Sequence, residues 1–205
     1  RFDVEKDPYL RYTRWRSTRA IMQLLSNLGA TFSNDKRIFE PETEFPINIA
    51  GKWRATLTKP LPAAKGFSQA YPDKGLSDKA KAAVKADVDD ASWSEYDVPK
   101  GWENYGGAWK KADGEAVFRK TVDIPKNWAA RDLELSLGCL DDFDDTYFNG
   151  ELIGRIDKTT PDFYSHKRVY VIPGKLVKAG KNVIAVRIFD HFGGGGCFAK
   201  PSQRF

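Results

Sequence analysis

The chain has 205 residues, 33 Lys and Arg against 28 Asp and Glu for a formal net charge of +5, 41% hydrophobic residues and 13% aromatics. This content excludes a disordered polymer and is enough for one domain, or one domain with an appendage, around a sizeable core. Because the two signs of charge are mixed, the basic excess gives only slight support to a polyanion, and no apolar run approaches the roughly twenty residues of a membrane span, so neither nucleic acid nor membrane is expected as a partner.

Residues 1–45 are predicted to form a helical extension or linker. Asp7 and Pro8 offer an N-cap followed by proline at the first helical position, and Gly29 offers a stop. Between them Trp15, Thr18, Ile21, Met22, Leu25 and Leu28 recur at helical spacing, which gives an amphipathic helix of about twenty residues. Arg11, Arg14, Arg16 and Arg19 suit either a nucleic-acid or membrane element or a solvated face whose other side packs on a partner domain. The apolar stripe favours packing. The chain starts without Met or a signal peptide, which reads as a processed or excised segment.

From residue 46 the sequence turns to β structure. Residues 47–57 alternate over most of their length, and the predicted strand ends before Pro60. Residues 60–90, rich in proline and glycine, read as an insertion or long loop, with a short helix over 78–86 after Ser77. Further strands are predicted at 94–98, 116–124, 132–137, 146–148, 152–156, 168–172 and 182–189, each carrying β-branched or aromatic residues between Pro and Gly punctuation. Asn149-Gly150, able to take the two positive φ values of a type I′ turn, fixes a hairpin between two of them. With both helices outside this series, the expectation is an all-β, antiparallel β-sandwich over residues 46–205.

Three stretches carry candidate chemistry. The loop from Trp102 to Trp109 holds Trp102, Glu103, Tyr105 and Trp109 and is the best platform in the chain for stacking sugar CH faces; its alternative role is to plug the end of the sandwich. Asp141, Asp142, Asp144 and Asp145 precede the hairpin. They suit internal salt bridges with Arg119 and Arg187 as partners, contacts to a sugar or a neighbouring domain, or calcium, although their spacing is not that of an EF-hand. Asp144 and Asp145 cannot form a glycosidase pair, because neighbours on a strand point to opposite faces while such carboxylates must face each other about 5–10 Å apart. Asp190 and His191 precede four glycines, which either let backbone approach a ligand or simply turn the chain. For His166 nothing favours function over surface. Cys139 and Cys197 fit buried thiols, or a disulfide in an exported chain, and the cysteine and histidine spacing is not that of a zinc site.

Residues 115–125 (EAVFRKTVDIP), 133–138 (LELSLG), 141–150 (DDFDDTYFNG) and 178–187 (KAGKNVIAVR), in that order, resemble the galactose-binding-like jelly roll of glycoside hydrolase family 2. Residues 140–144 (LDDFD) and 190–196 (DHFGGGG) make the chain more similar to the jelly roll of bacterial sialate O-acetylesterase-like and acetylxylan esterase-like proteins. The resemblance covers about residues 47–198. It implies a secreted or periplasmic, non-catalytic carbohydrate-binding module of a glycan-processing hydrolase, with Trp102, Glu103, Tyr105, Trp109, Asp141, Asp142, Asp144, Arg187, Asp190 and His191 as candidate ligand contacts. Two alternatives are a structural module that completes the active-site rim of an adjoining catalytic domain, and part of a sialate O-acetylesterase-like esterase. The nucleophile motifs of that esterase family do not occur, and Gly66-Phe67-Ser68-Gln69-Ala70 lacks the second glycine of a nucleophile elbow. No catalytic residue, cofactor or resident metal is therefore assigned.

Overall fold

Period-2 apolar alternation produces a sandwich of two antiparallel sheets across residues 47–198, the part of the chain that the computed structural model describes. The predicted helix within 1–45 lies outside the described residues. The strands are β1 (Gly51–Pro62), β2 (Ser94–Val98), β3 (Lys100–Gly101), β4 (Ala112–Ile124), β5 (Leu133–Asp141), β6 (Phe143–Phe148), β7 (Glu151–Ile156), β8 (Lys167–Ile172), β9 (Gly180–Asp190) and β10 (Gly196–Phe198). The larger sheet runs β2-β1-β4-β9-β6-β7 and the smaller β3-β10-β5-β8.

Alternation along each strand decides what each sheet face meets. Ala116 and Phe118 of β4 and Ile184, Val186 and Ile188 of β9 point inward against Leu135, Leu137 and Leu140 of the smaller sheet. The intervening residues, Val117 and Ala185, point to the outer face of the larger sheet and are buried as well. What covers them is the insertion between β1 and β2, whose helix α1 (Asp78–Ala83) packs Ala80, Ala83 and Val84 onto that face. Ser77 caps this helix by accepting from the Ala80 amide at 3.2 Å. The helix is shorter than the predicted 78–86 because Arg119 draws the carbonyls of Ala83 and Lys85 onto its guanidinium, at 2.9 and 2.7 Å.

Two strand ends differ from expectation. β1 does not stop before Pro60 but continues to Pro62 past a register shift between Leu57 and Lys59. Only residues 51–55 of β1 pair with β2, so beyond them one side of the strand is open and proline removes no ladder hydrogen bond. The glycine run is likewise not all loop, since Gly196 opens β10. The Asn149-Gly150 hairpin forms as predicted, with φ of 50° and 85°. A Cβ on Gly150 would also lie 3.1 Å from the Ala86 amide nitrogen. Gly150→Ala is therefore expected to cost about 1–2 kcal/mol, read as a lower urea midpoint at unchanged slope.

Candidate functional site

Several candidate residues turn out to hold the sandwich together. Asp144 and Asp145 do point to opposite faces of β6. Asp144 enters the space between the sheets, where it accepts from Arg168 Nε at 2.8 Å, Thr146 Oγ1 at 2.7 Å and the Tyr170 hydroxyl at 2.9 Å. Arg168 spends its remaining donors on the carbonyls of Phe163 and His166, both at 2.6 Å, and of Asp142 at 2.7 Å. Asp144 is thus fully buried and saturated, which removes it as a ligand contact.

Asp145, on the outer face, is cross-strand to Arg155 and Arg187 and pairs with both. Arg187 is also buried with every donor engaged: Glu115 at 3.0 Å, both oxygens of Asp73 at 2.7 Å, Asp145 at 3.4 Å and the Gly75 carbonyl at 3.2 Å. It ties the insertion to the sheet rather than meeting a ligand. Arg119 does the same at the other end of the insertion through Asp90, at 2.8 Å, and does not reach the acidic cluster.

The aromatic platform is also corrected. Trp102 and Trp109 lie within the core, their rings 5.7 Å apart, and Trp109 Nε1 donates to the Tyr96 hydroxyl at 2.8 Å. Tyr105 stacks on Tyr96 at 4.4 Å, and its hydroxyl donates to the carbonyls of Asp97 and Lys100. These rings plug the sandwich end because Tyr96, Trp102, Tyr105 and Trp109 pack against one another there. The glycines serve the same plug, since a Cβ on Gly195 would overlap the Trp102 indole and one on Gly196 would lie 2.9 Å from the Trp102 nitrogen. Cys139 and Cys197 are both buried thiols, and Cys139 Sγ donates to the Ser165 carbonyl at 3.0 Å.

What remains converges on that same end. Asp142 accepts from the His191 amide at 2.9 Å, and His191 Nδ1 lies 2.6 Å from the same oxygen. Asp190 accepts from the Phe192 amide at 2.9 Å through Oδ1, while its buried Oδ2 has no hydrogen-bond partner. Glu103 accepts from the Gly195 amide at 2.7 Å, and Gly194 brings backbone beside Asp141 Oδ2. Asp113, which stood out in no motif, completes the group and accepts from the Ala64 amide at 2.8 Å.

Elsewhere in the sandwich the buried carboxylates face arginines; here, among the described residues, none faces an Arg or Lys. The electrostatic consequence is large. Burial, then the hydrogen bond and charge of Asp142, push Asp141 up to about 9, and burial followed by the charges of Asp113 and Asp142 pushes Asp190 up to about 8. Burial also raises Asp113 and Glu103. At neutral pH Asp141 and Asp190 are therefore carboxylic acids, and the partly accessible Asp141 can both donate to and accept from a sugar hydroxyl.

Aromatic rings border it on the solvent side. The imidazole of His191 stacks on Phe143 at 5.2 Å and meets the edges of Phe163 and Phe67 at 5.4 and 5.9 Å. Phe67 is 71% exposed and Tyr164 is 54% exposed, so these rings, rather than Trp102 and Trp109, are free to meet a ligand. Their sequence setting gave no sign of this, because they come from two separate loops. As for calcium, no three His, Cys, Asp or Glu side chains among the described residues are placed to hold a metal ion.

No family model matches the chain, and no curated protein does either. Among solved structures it is similar to a β-glucuronidase of Bacteroides uniformis, at 17% identity and a TM-score of 0.53 over 75% of this chain and 17% of that one. It is equally similar to Bacteroides uniformis β-glucuronidase 2 covalently bound to cyclophellitol-6-carboxylate aziridine, at 18% identity and a TM-score of 0.53 over 75% and 17% of the two chains. A β-glucuronidase from glycoside hydrolase family 2 superposes less closely, at 16% identity and a TM-score of 0.49 over 69% and 13%. The chain spans 17% or less of the length of these three enzymes. What it shares with the Bacteroides uniformis enzymes is a fold, an antiparallel β-sandwich.

Proposed function

We propose that this chain is a non-catalytic accessory module of a secreted or periplasmic glycan-processing hydrolase, and that it binds carbohydrate hydroxyls at its acidic end. The observation that carries this reading is the partly accessible Asp141, backed by the buried Asp142 and Asp190, none of them with an Arg or Lys partner among the described residues, and bordered by the exposed rings of Phe67 and Tyr164. A carboxylic acid supplies both a donor and an acceptor for hydroxyls, and the rings supply faces for pyranose CH groups. The fold likeness to β-glucuronidases, together with the resemblance to glycoside hydrolase family 2 and sialate O-acetylesterase-like jelly rolls, supports the hydrolase context. Catalysis is assigned to an adjoining domain. The second reading, a module that completes the rim of that domain's active site, is favoured by the exposed rings of Phe67 and Tyr164, an apolar surface that a packed neighbour would cover.

A glycan array followed by calorimetry on the 205-residue chain separates the two. Binding that weakens about fivefold or more in Phe67→Ala and in Asp141→Ala is the expected result, because each change removes a contact worth about 1–2 kcal/mol without touching the core. If no glycan binds, while Asp142→Asn abolishes activity of the intact hydrolase, the rim reading replaces the first. Binding that neither substitution alters would sink the assignment of the site.

A further inference from the structure

The insertion leaves a cavity on the outer face of the larger sheet, beside the acidic end, to which its lining residue Tyr71 is tied by an amide hydrogen bond to the His191 carbonyl at 2.8 Å. About 170 Å³ in volume, it is walled by Leu61, Tyr71, Pro72 and Phe189, with Lys59 and Lys74 at its mouth. We propose that it binds a small ligand made of one six-membered ring bearing a carboxylate.

The volume sets the size of the guest. Sites for drug-sized ligands span roughly 300–1,000 Å³, so this one admits a single ring and not an oligomer. Its walls set the polarity, since an aromatic face, a proline and a leucine offer a ring van der Waals contact rather than hydrogen bonds.

The charges set the sign. Glu115 lies in the lining, but both its oxygens are occupied, by the Ser77 amide at 3.1 Å, the Ser77 hydroxyl, the Thr58 hydroxyl at 2.7 Å and Arg187 Nε at 3.0 Å. Arg187 sits over the Phe189 ring at 5.1 Å, behind the cavity wall. Within that network Arg187 and the half-exposed Arg155 stand against Asp73, Asp145 and Glu115, one negative charge in excess. Lys59 and Lys74 turn the balance to one positive, and neither has an acidic partner among the described residues. An anionic group at the mouth is therefore attracted, and an ammonium guest is not.

A hexuronate and an aryl carboxylate share this chemistry, and the test distinguishes them. Amide chemical shifts of the whole chain are followed during titration with sodium D-glucuronate, sodium benzoate and, as the uncharged control, D-glucose, at low and at 0.5 M salt. Expected is millimolar binding of at least one carboxylate, mapped to residues 59–75 and 189, at least fivefold tighter than glucose. It weakens at high salt and at least fivefold in Lys59→Gln/Lys74→Gln. Both lysines are exposed, so an unchanged melting temperature certifies the variant's fold. Asp141→Asn leaves this binding intact, which keeps it independent of the acidic end. Glucuronate alone identifies a sugar acid, benzoate alone an aryl acid, and both identify the shared ring and carboxylate. Overturning results are equal binding of glucose and the carboxylates, no binding at all, or an affinity that the lysine double variant leaves unchanged.

Discussion

Replacing Arg187 with methionine is expected to cost about 3–5 kcal/mol of folding stability. The reason is not the strength of one salt bridge. Removing the guanidinium leaves Glu115 and Asp145 buried without their shared cation, and Asp73 loses its bidentate partner. Uncompensated buried charge is far more costly than an intact pair is stabilising. Arg187→Lys rescues little, because one ammonium cannot reproduce five donors spread over four acceptors. Glu115→Gln added to Arg187→Met recovers part of the loss by removing one stranded charge. Urea unfolding of the four proteins checks this, and hydrogen exchange of α1 adds a local readout, since Arg187 ties the segment just before that helix to the sheet. A loss below about 1 kcal/mol in Arg187→Met would mean that the network is not what secures the insertion.

Raising the pH from 5 to 9 is expected to destabilise the protein by on the order of 3 kcal/mol, with the slope centred on the acidic end. Asp190 and Asp141 titrate near 8 and 9 when folded but near 4 when unfolded, so between those values the folded chain holds protons that the unfolded chain has released. Their contribution is complete below about pH 4 and is lost as pH climbs through their folded values. Asp190 is fully buried and dominates; Asp141 is half-buried, and solvent screening reduces its share. Asp73, Asp90 and Glu115 act in the opposite sense. Burial works against them, but hydrogen bonds from Arg187, Arg119 and Ser77 respectively hold each below its usual range. Their stabilisation is present above the unfolded value and disappears as pH falls below about 4. The two sets together place maximal stability near pH 5. Asp190→Asn should flatten the alkaline limb and raise the melting temperature at pH 8. Melting curves from pH 4 to 9 that are flat for the parent, or equally steep for Asp190→Asn, would contradict the assignment of an unpartnered acid end.

Much of the fold was legible because period-2 patterning survives whatever lies across the strand. Residues 94–98 and the hairpin around Asn149-Gly150 came out as predicted, and β4, β7, β8 and β9 differ only at their ends. The failures share a cause. β6 begins at Phe143 rather than at 146, across two aspartates that are poor strand formers and are accepted there only because Arg168 and Arg187 stand opposite. β10 rests on glycine, and β3 is two residues long, so neither carries a pattern of its own. Of the candidate contacts, Asp141, Asp142, Asp190, His191 and Glu103 meet at one end. Trp102 and Trp109 are core, and Asp144 and Arg187 are structural, because burial of a polar side chain depends on partners distant in sequence.

The sequence by itself determined the antiparallel sandwich, the hairpin and the separation of Asp144 from Asp145 onto opposite faces. These follow from spacing and φ preferences, which are properties of a few neighbouring residues. Only the tertiary structure decided which carboxylates are neutralised and which are not. Asp73 reaches Arg187 across 114 positions and His191 reaches Asp142 across 49, so whether an aspartate is neutralised by an arginine or left without one is fixed by strand order and register, which no local pattern encodes.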